Sequence, residues 1–213
     1  GPGPNDAPPS ASPAPAAPEK PSANPTPSGN GDTQRTQNPA PKAPTPMPTC
    51  EAGKIDGRYK IGDGHLDLQA QLRDNRLELG LKDDSGLIDA DSVVRPLDTV
   101  VWTVSDRARR SRNEHMNSPK LDFIGPVGTA FYGLPQTQMR GLPWPGYSTQ
   151  DVDYSRLDGG VTLHVVPRSM PKGARFGVFT ESLTGPEVLL DSTKNQHSIS
   201  IDYATHAHAN WVF

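Results

Sequence analysis

Apolar and polar residues alternate one for one along much of this chain. In HLDLQAQL, Leu66, Leu68, Ala70 and Leu72 take one phase, and His65, Asp67, Gln69 and Gln71 take the other. After the turn residues RDN, the alternation resumes in RLELGLK with Leu77, Leu79 and Leu81. A period of two places successive side chains on opposite faces of a strand. Two such runs around an Asp-Asn turn therefore predict a β-hairpin with one buried face. DTVVWTV repeats the pattern with Val100, Trp102 and Val104, and GVTLHVV with Val161, Leu163 and Val165. RFGVFT, EVLLDS and HSISIDY read as further short strands. No window carries a helical stripe. The nearest, SDRARRSRNEHM, lacks an apolar face and reads as a charged loop or short turn.

Many short strands punctuated by Gly and Pro predict an all-β chain folded as a β-sandwich, Ig-like or jelly-roll-like. The stretch LDFIGPVGTAFYGLPQTQMRGLPWPGYSTQD breaks the alternation. Its glycines, prolines and aromatics predict a long loop packed on itself. Phe131, Tyr132, Trp144 and Tyr147 are expected to cover one end of the sandwich.

Composition divides the chain. Fifteen of its 24 prolines lie between Pro2 and Pro48, among Ala, Ser, Thr and Asn, with Met47 as the one large apolar side chain. Such a segment buries too little apolar surface to offset the entropy of ordering it. It predicts a disordered or polyproline-type linker over residues 1–49, followed by a single sandwich domain over 50–213. A net charge of −3 gives no global field for nucleic acid. No apolar run is long enough to span a bilayer. Cys50, the single cysteine, has no internal disulfide partner.

The polar phases carry the candidate chemistry. In THAHANWVF, His206, His208 and Asn210 share one phase, opposite Ala207, Ala209, Trp211 and Phe213. Residues two apart on a strand lie about 6.6 Å apart on one face, close enough for two imidazoles to converge on an ion. GHLDL places His65 and Asp67 in the same relation, again opposite the leucine phase. If the two strands are neighbours, three imidazoles and a carboxylate meet. That set suits Zn²⁺, and ligand type alone also admits Mn²⁺, Fe²⁺, Ni²⁺ or Cu²⁺. Asn210 is placed to orient a histidine. The alternative is two pairs of surface residues making local hydrogen bonds.

Other clusters read more simply. Asp83 and Asp84 face opposite sides of a strand and are expected to cap the loop after the hairpin. Arg107, Arg109, Arg110 and Arg112 read as a solvated basic loop that could touch a wall polymer or a partner. His115, His164 and His197 have no evident partner. No nucleophile elbow, zincin helix or phosphate loop is present in the sequence, so no enzymatic activity is expected.

The ordered series GHLDL…LELGLKDDSG, RPLDTVVWTVSD, FIGPVGTAFYGLPQTQ…LPWPGYSTQD and THAHANWVF resembles the actinobacterial surface-anchored protein domain, the choice-of-anchor M domain family. The resemblance covers about residues 56–213. It implies a secreted, cell-wall-associated protein that accompanies ABC uptake systems whose solute-binding proteins are of the zinc and manganese type. It thereby supports a metal role for His65, Asp67, His206 and His208. The family pattern continues beyond NW.F with a Thr, a Gly and a Tyr, whereas this chain stops at Phe213. Either the chain is a fragment truncated at its C-terminal end, or the last strand is absent, which would leave the His-x-His strand at an open sheet edge.

Three functions compete at this level. The first is an extracellular metal-binding module that supports metal uptake, with an ABC-transporter solute-binding protein as partner. The second is an adhesion module in which Trp144 and Tyr147 contact a cell-wall or host ligand, glycan or protein, and any metal is structural. The third is a metallohydrolase, which lacks an evident general base.

Overall fold

The computed structural model describes residues 53–213. The predicted linker over 1–49, and Cys50, lie outside the described residues. The strands are β1 (Lys54–Ile55), β2 (Arg58–Ile61), β3 (Gly64–Arg73), β4 (Arg76–Asp83), β5 (Val93–Pro96), β6 (Val100–Trp102), β7 (Arg109–Ser111) and β8 (Ala130–Leu134). They continue as β9 (Pro143–Ser148), β10 (Val161–His164), β11 (Gly177–Ser182), β12 (Gly185–Asp191), β13 (Ser198–Ile201), β14 (His206–His208) and β15 (Asn210–Val212). Helical segments among the described residues are short 3-10 turns, and the longest, Pro119–Ile124, has six residues. The chain is an all-β, sandwich-like fold, as its period-two pattern predicts.

Two five-stranded sheets carry the architecture, in the orders β14-β9-β3-β4-β5 and β12-β11-β15-β8-β7. A three-stranded sheet, β1-β2-β6, and the pair β10-β13 complete it. The predicted hairpin is β3–β4, in register from Leu66↔Asp83 to Arg73↔Arg76. Its two-residue loop is Asp74-Asn75, with φ of 53° and 60°. Both angles are left-handed, the conformation that a tight turn matched to strand twist demands and that Asp and Asn tolerate.

The leucine phase is buried at the start of β3 and the end of β4. Leu66 and Leu81 join Ile61 and Val100 in one cluster. A larger cluster draws on both main sheets through Ala70, Tyr147, Leu134, Val178 and Trp211. A third lies around Phe131, Phe179 and Val212, packed with Leu121, Phe123 and Ile124. Full burial of each such side chain contributes roughly 1.5–3 kcal/mol. The hairpin's far end is less covered: Leu77 and Leu79 remain 48% and 38% exposed.

Two expectations fail. The stretch predicted as a long loop contains β8 and β9, and β9 runs through the interior of the first sheet. Pro143 and Pro145 disguised it, because proline within a strand removes a ladder donor. Here β14 pairs only with Gly146, Tyr147 and Ser148, so both prolines lie where β9 has β3 alone as a neighbour. Their missing N–H groups cost no ladder bond on the open side. The basic run is not uniformly solvated either. Arg107 and Arg109 are exposed, but Arg112 is buried at 3%. Its guanidinium donates to the carbonyls of Met116 (2.8 Å), Ser118 (2.9 Å) and Gly125 (2.7 Å) and to Asp122 Oδ1 (3.1 Å). It thus satisfies the backbone of the segment that covers the third cluster.

Removing Arg112 strands three carbonyl oxygens with no replacement donor. Arg112→Met should lower unfolding free energy by about 2–4 kcal/mol. Arg109→Met, at an exposed position, should change it by less than about 0.5 kcal/mol. Urea denaturation of the two variants checks this, and equal midpoints would contradict it.

Candidate metal centre

Strand register brings the polar phases together. β9 lies between β14 and β3, antiparallel to the first and parallel to the second. His208 and Asp67 both pair with Gly146, His206 and Gln69 both pair with Ser148, and His65 pairs with Trp144. Alternate residues on each strand share a face, so these side chains gather on the side of the sheet opposite Leu66 and Leu68. The two ligand-bearing strands are thus not hydrogen-bonded neighbours, as the sequence pattern suggested, but flank a third.

Gly146 makes that span possible. A Cβ there would stand 2.5 Å from Asp67 Oδ1, 2.7 Å from His208 Cε1 and 2.8 Å from the Ala207 carbonyl oxygen. With hydrogen in its place, side chains from either side meet over the middle strand. The four residues offer ligand atoms that all lie within 4.8 Å of one another. Asp67 Oδ2 is 3.1 Å from His65 Nε2 and 3.0 Å from His206 Nε2. Asp67 Oδ1 is 3.5 Å from His208 Nε2, and the Nε2 atoms of His65 and His208 are 3.2 Å apart. A tetrahedral ion with ligands at about 2.0–2.1 Å sets them about 3.3–3.4 Å apart, so these separations fit its edges. The cluster could hold a metal ion.

The surroundings fix the rings. The Pro145 carbonyl lies 3.1 Å from His208 Nδ1, which places the proton on Nδ1 and directs the Nε2 lone pair at the cluster. Trp144 stacks on the same ring, with centroids 3.9 Å apart and planes at 16°, and meets His65 at 4.9 Å. Its own Nε1 donates to the Gln136 carbonyl at 2.8 Å. Asp84 Oδ2 is 3.5 Å from His65 Nδ1, a carboxylate behind an imidazole. Asp83 faces the other way: it accepts from Ser85 and pairs with buried Arg95 at 2.9 Å.

Several predicted roles change. Asn210 does not orient a histidine. The chain leaves the first sheet after His208, and Asn210 begins β15 in the second. Its Oδ1 accepts from Gln136 N at 2.9 Å, and its Nδ2 reaches Gln136 Oε1 and the Phe179 carbonyl. Tyr147 is not a surface contact: it is 6% exposed, inside the largest core cluster. Trp144 is half-buried and serves as a wall of the cluster. Phe213, assigned to the core phase, is 43% exposed and stacks on Tyr132. His164 has a partner, Ser198 Oγ at 2.7 Å.

Electrostatics divides the ligands. Burial, the largest effect, holds His208 well below the ordinary histidine range, helped by the neighbouring His65 and His206 charges, so the ring stays neutral. For Asp67, burial is the largest single effect and acts upward. The combined charge and hydrogen bonds of His206 and His65 outweigh it and hold the carboxyl well below its usual range. For His65, burial acts downward, but Asp67 and Asp84 together raise the pKa. Asp67 Oδ1 is buried with no hydrogen-bond partner.

Gly146, Pro145, Trp144, Gln136 and Asp84 carry no metal-ligand chemistry that spacing along the chain reveals. Only the Asp-Asp dipeptide beside the hairpin hinted at a carboxylate near His65. Comparison of the chain with protein-family models, with curated proteins and with solved structures returned no match.

Gly146→Ala should abolish zinc binding, because its methyl group occupies the space in which Asp67 and His208 meet. Asp84→Asn should leave the stoichiometry intact and weaken affinity by about 10–100-fold. Isothermal titration of both variants beside wild type checks the pair, and wild-type affinity in Gly146→Ala would refute the first.

Proposed function

We propose that this chain is a metal-binding module that coordinates one Zn²⁺ through His65, Asp67, His206 and His208. One observation carries the reading: three imidazole Nε2 atoms converge on a carboxylate whose Oδ1 is buried without a hydrogen bond. Buried polar atoms are ordinarily satisfied, and a cation is the partner that this set of donors suits. Three imidazole nitrogens with a single carboxylate favour zinc over Mn²⁺, which prefers oxygen-rich octahedral sites. The module is placed outside the cell, at the wall, where it supports metal uptake with a solute-binding protein as partner. The proline-rich N-terminal composition and the family resemblance support that placement. The reading is of a binding module and not an enzyme.

The adhesion reading loses its aromatic surface, since Tyr147 is in the core and Trp144 lies against the cluster. His206→Ala with His208→Ala should abolish zinc uptake in equilibrium dialysis at pH 7.5, against one ion per wild-type chain. Equal stoichiometry in the two proteins would end the proposal. Protons compete with the ion for imidazole nitrogen. Affinity should therefore fall as pH drops through the histidine range near about 6.5. The carboxylates Asp67 and Asp84 raise His65 against the downward pull of its burial, whereas burial holds His208 low, so His65 is protonated at higher pH than His208.

A further inference from the structure

We propose that the ion is exchanged through the β14 edge, with His206 as the ligand that yields its place to an incoming donor. This rests on the metal-binding reading above. The four ligands are not held alike. Asp67 lies on β3, which is bonded to a strand on each side, and its side chain is 4% exposed. His208 is 13% exposed, His65 25% and His206 35%.

Anchorage follows a similar order. The His208 ring is fixed by the Pro145 carbonyl at Nδ1 and by the face of Trp144. His65 is steadied by Asp84 and by the same indole at 4.9 Å. The His206 ring contacts its fellow ligands, and its Nδ1 has no hydrogen-bond partner among the described residues. It begins a three-residue strand that is paired on one side, and exposed residues 202–204 lead into it.

A turn of the His206 side chain about χ1 therefore removes one ligand without moving a strand. Movement of any of the other three disturbs a carbonyl contact, a stacked indole or an inner strand. In the exchange step, a lone pair of the acceptor forms a bond to the metal as the bond from His206 Nε2 breaks. The imidazole leaves neutral, the charge on the ion is unchanged and no electron is transferred. The remaining three ligands hold the ion until further donors of the same acceptor replace them one at a time, one metal–donor bond forming for each protein–metal bond that breaks. The acceptor is thus a polydentate ligand that presents imidazole-type nitrogen or carboxylate oxygen. The cluster serves as a relay for the ion rather than as its permanent cage.

Zinc transfer from the loaded wild-type protein to excess 4-(2-pyridylazo)resorcinol, followed by stopped-flow absorbance, tests this. The observed rate should rise with chelator concentration, as attack through an open face requires. His206→Ala should still bind one zinc, roughly 100-fold more weakly, and should surrender it faster. Asp67→Asn and His208→Ala should bind none at the same concentrations. A wild-type rate independent of chelator concentration would overturn the proposal without recourse to any variant. So would a folded His206→Ala that loses zinc as completely as His208→Ala. Wild type is titrated with zinc first, because failure to bind there defeats the metal-binding reading itself and the relay with it.

Discussion

Asp67 places a carboxylate on an inner strand, 3% exposed, in a sheet whose opposite face is packed with leucine. A charge withdrawn from water costs several kcal/mol unless partners compensate it. The residues next to Asp67 on β3 point into the core, so its partners come from two positions along the strand and from beyond β9. His65 serves from two positions away, and the other two imidazoles reach across β9. The glycine at 146, the docking of β14 in register and the indole behind His208 all follow from the need to surround one buried carboxylate.

The same need explains the C-terminal segment. His206 and His208 belong to the first sheet and Asn210 and Trp211 to the second, with buried Ala209 between them. Strands that change sheets form corners in sandwich folds. Here the corner joins the cluster to the core: Trp211 enters the large apolar cluster, while Asn210 secures Gln136. Gln136 in turn holds the Trp144 indole, which lies on His208. A closed circuit of contacts therefore runs from the ligand back to itself through both sheets.

The sequence made the strand period, the hairpin and the four converging residues legible, because each depends on alternation along one segment. The parts it hid depend on contacts across the sheet. β9 was hidden because Pro143 and Pro145 argue against an inner strand until one knows that β14 stops short of them. Gly146 looked like punctuation, although its role is the space it leaves. Asn210 was misread because alternation was carried through Ala209, where the chain in fact turns to another sheet. Asp84 reads in the sequence as a loop cap that faces away from Asp83, and that opposition is what directs it to His65.

An ion-pair cluster alone accounts poorly for this arrangement. Asp67 and Asp84 can balance two imidazolium charges, so the third imidazole adds nothing to neutrality. If all three were protonated, the buried set would carry a net positive charge, with two rings 3.2 Å apart at their Nε2 atoms. Like charges at that distance in a poorly hydrated site are strongly disfavoured. His208 accordingly stays neutral, with Nδ1 committed to the Pro145 carbonyl. Its Nε2 lone pair is then aimed at a point shared with two other nitrogens and an unpartnered carboxylate oxygen. Lone pairs that face one another repel unless a proton or a cation lies between them. A single proton can bridge one pair of these atoms, whereas a divalent cation can serve all four at once.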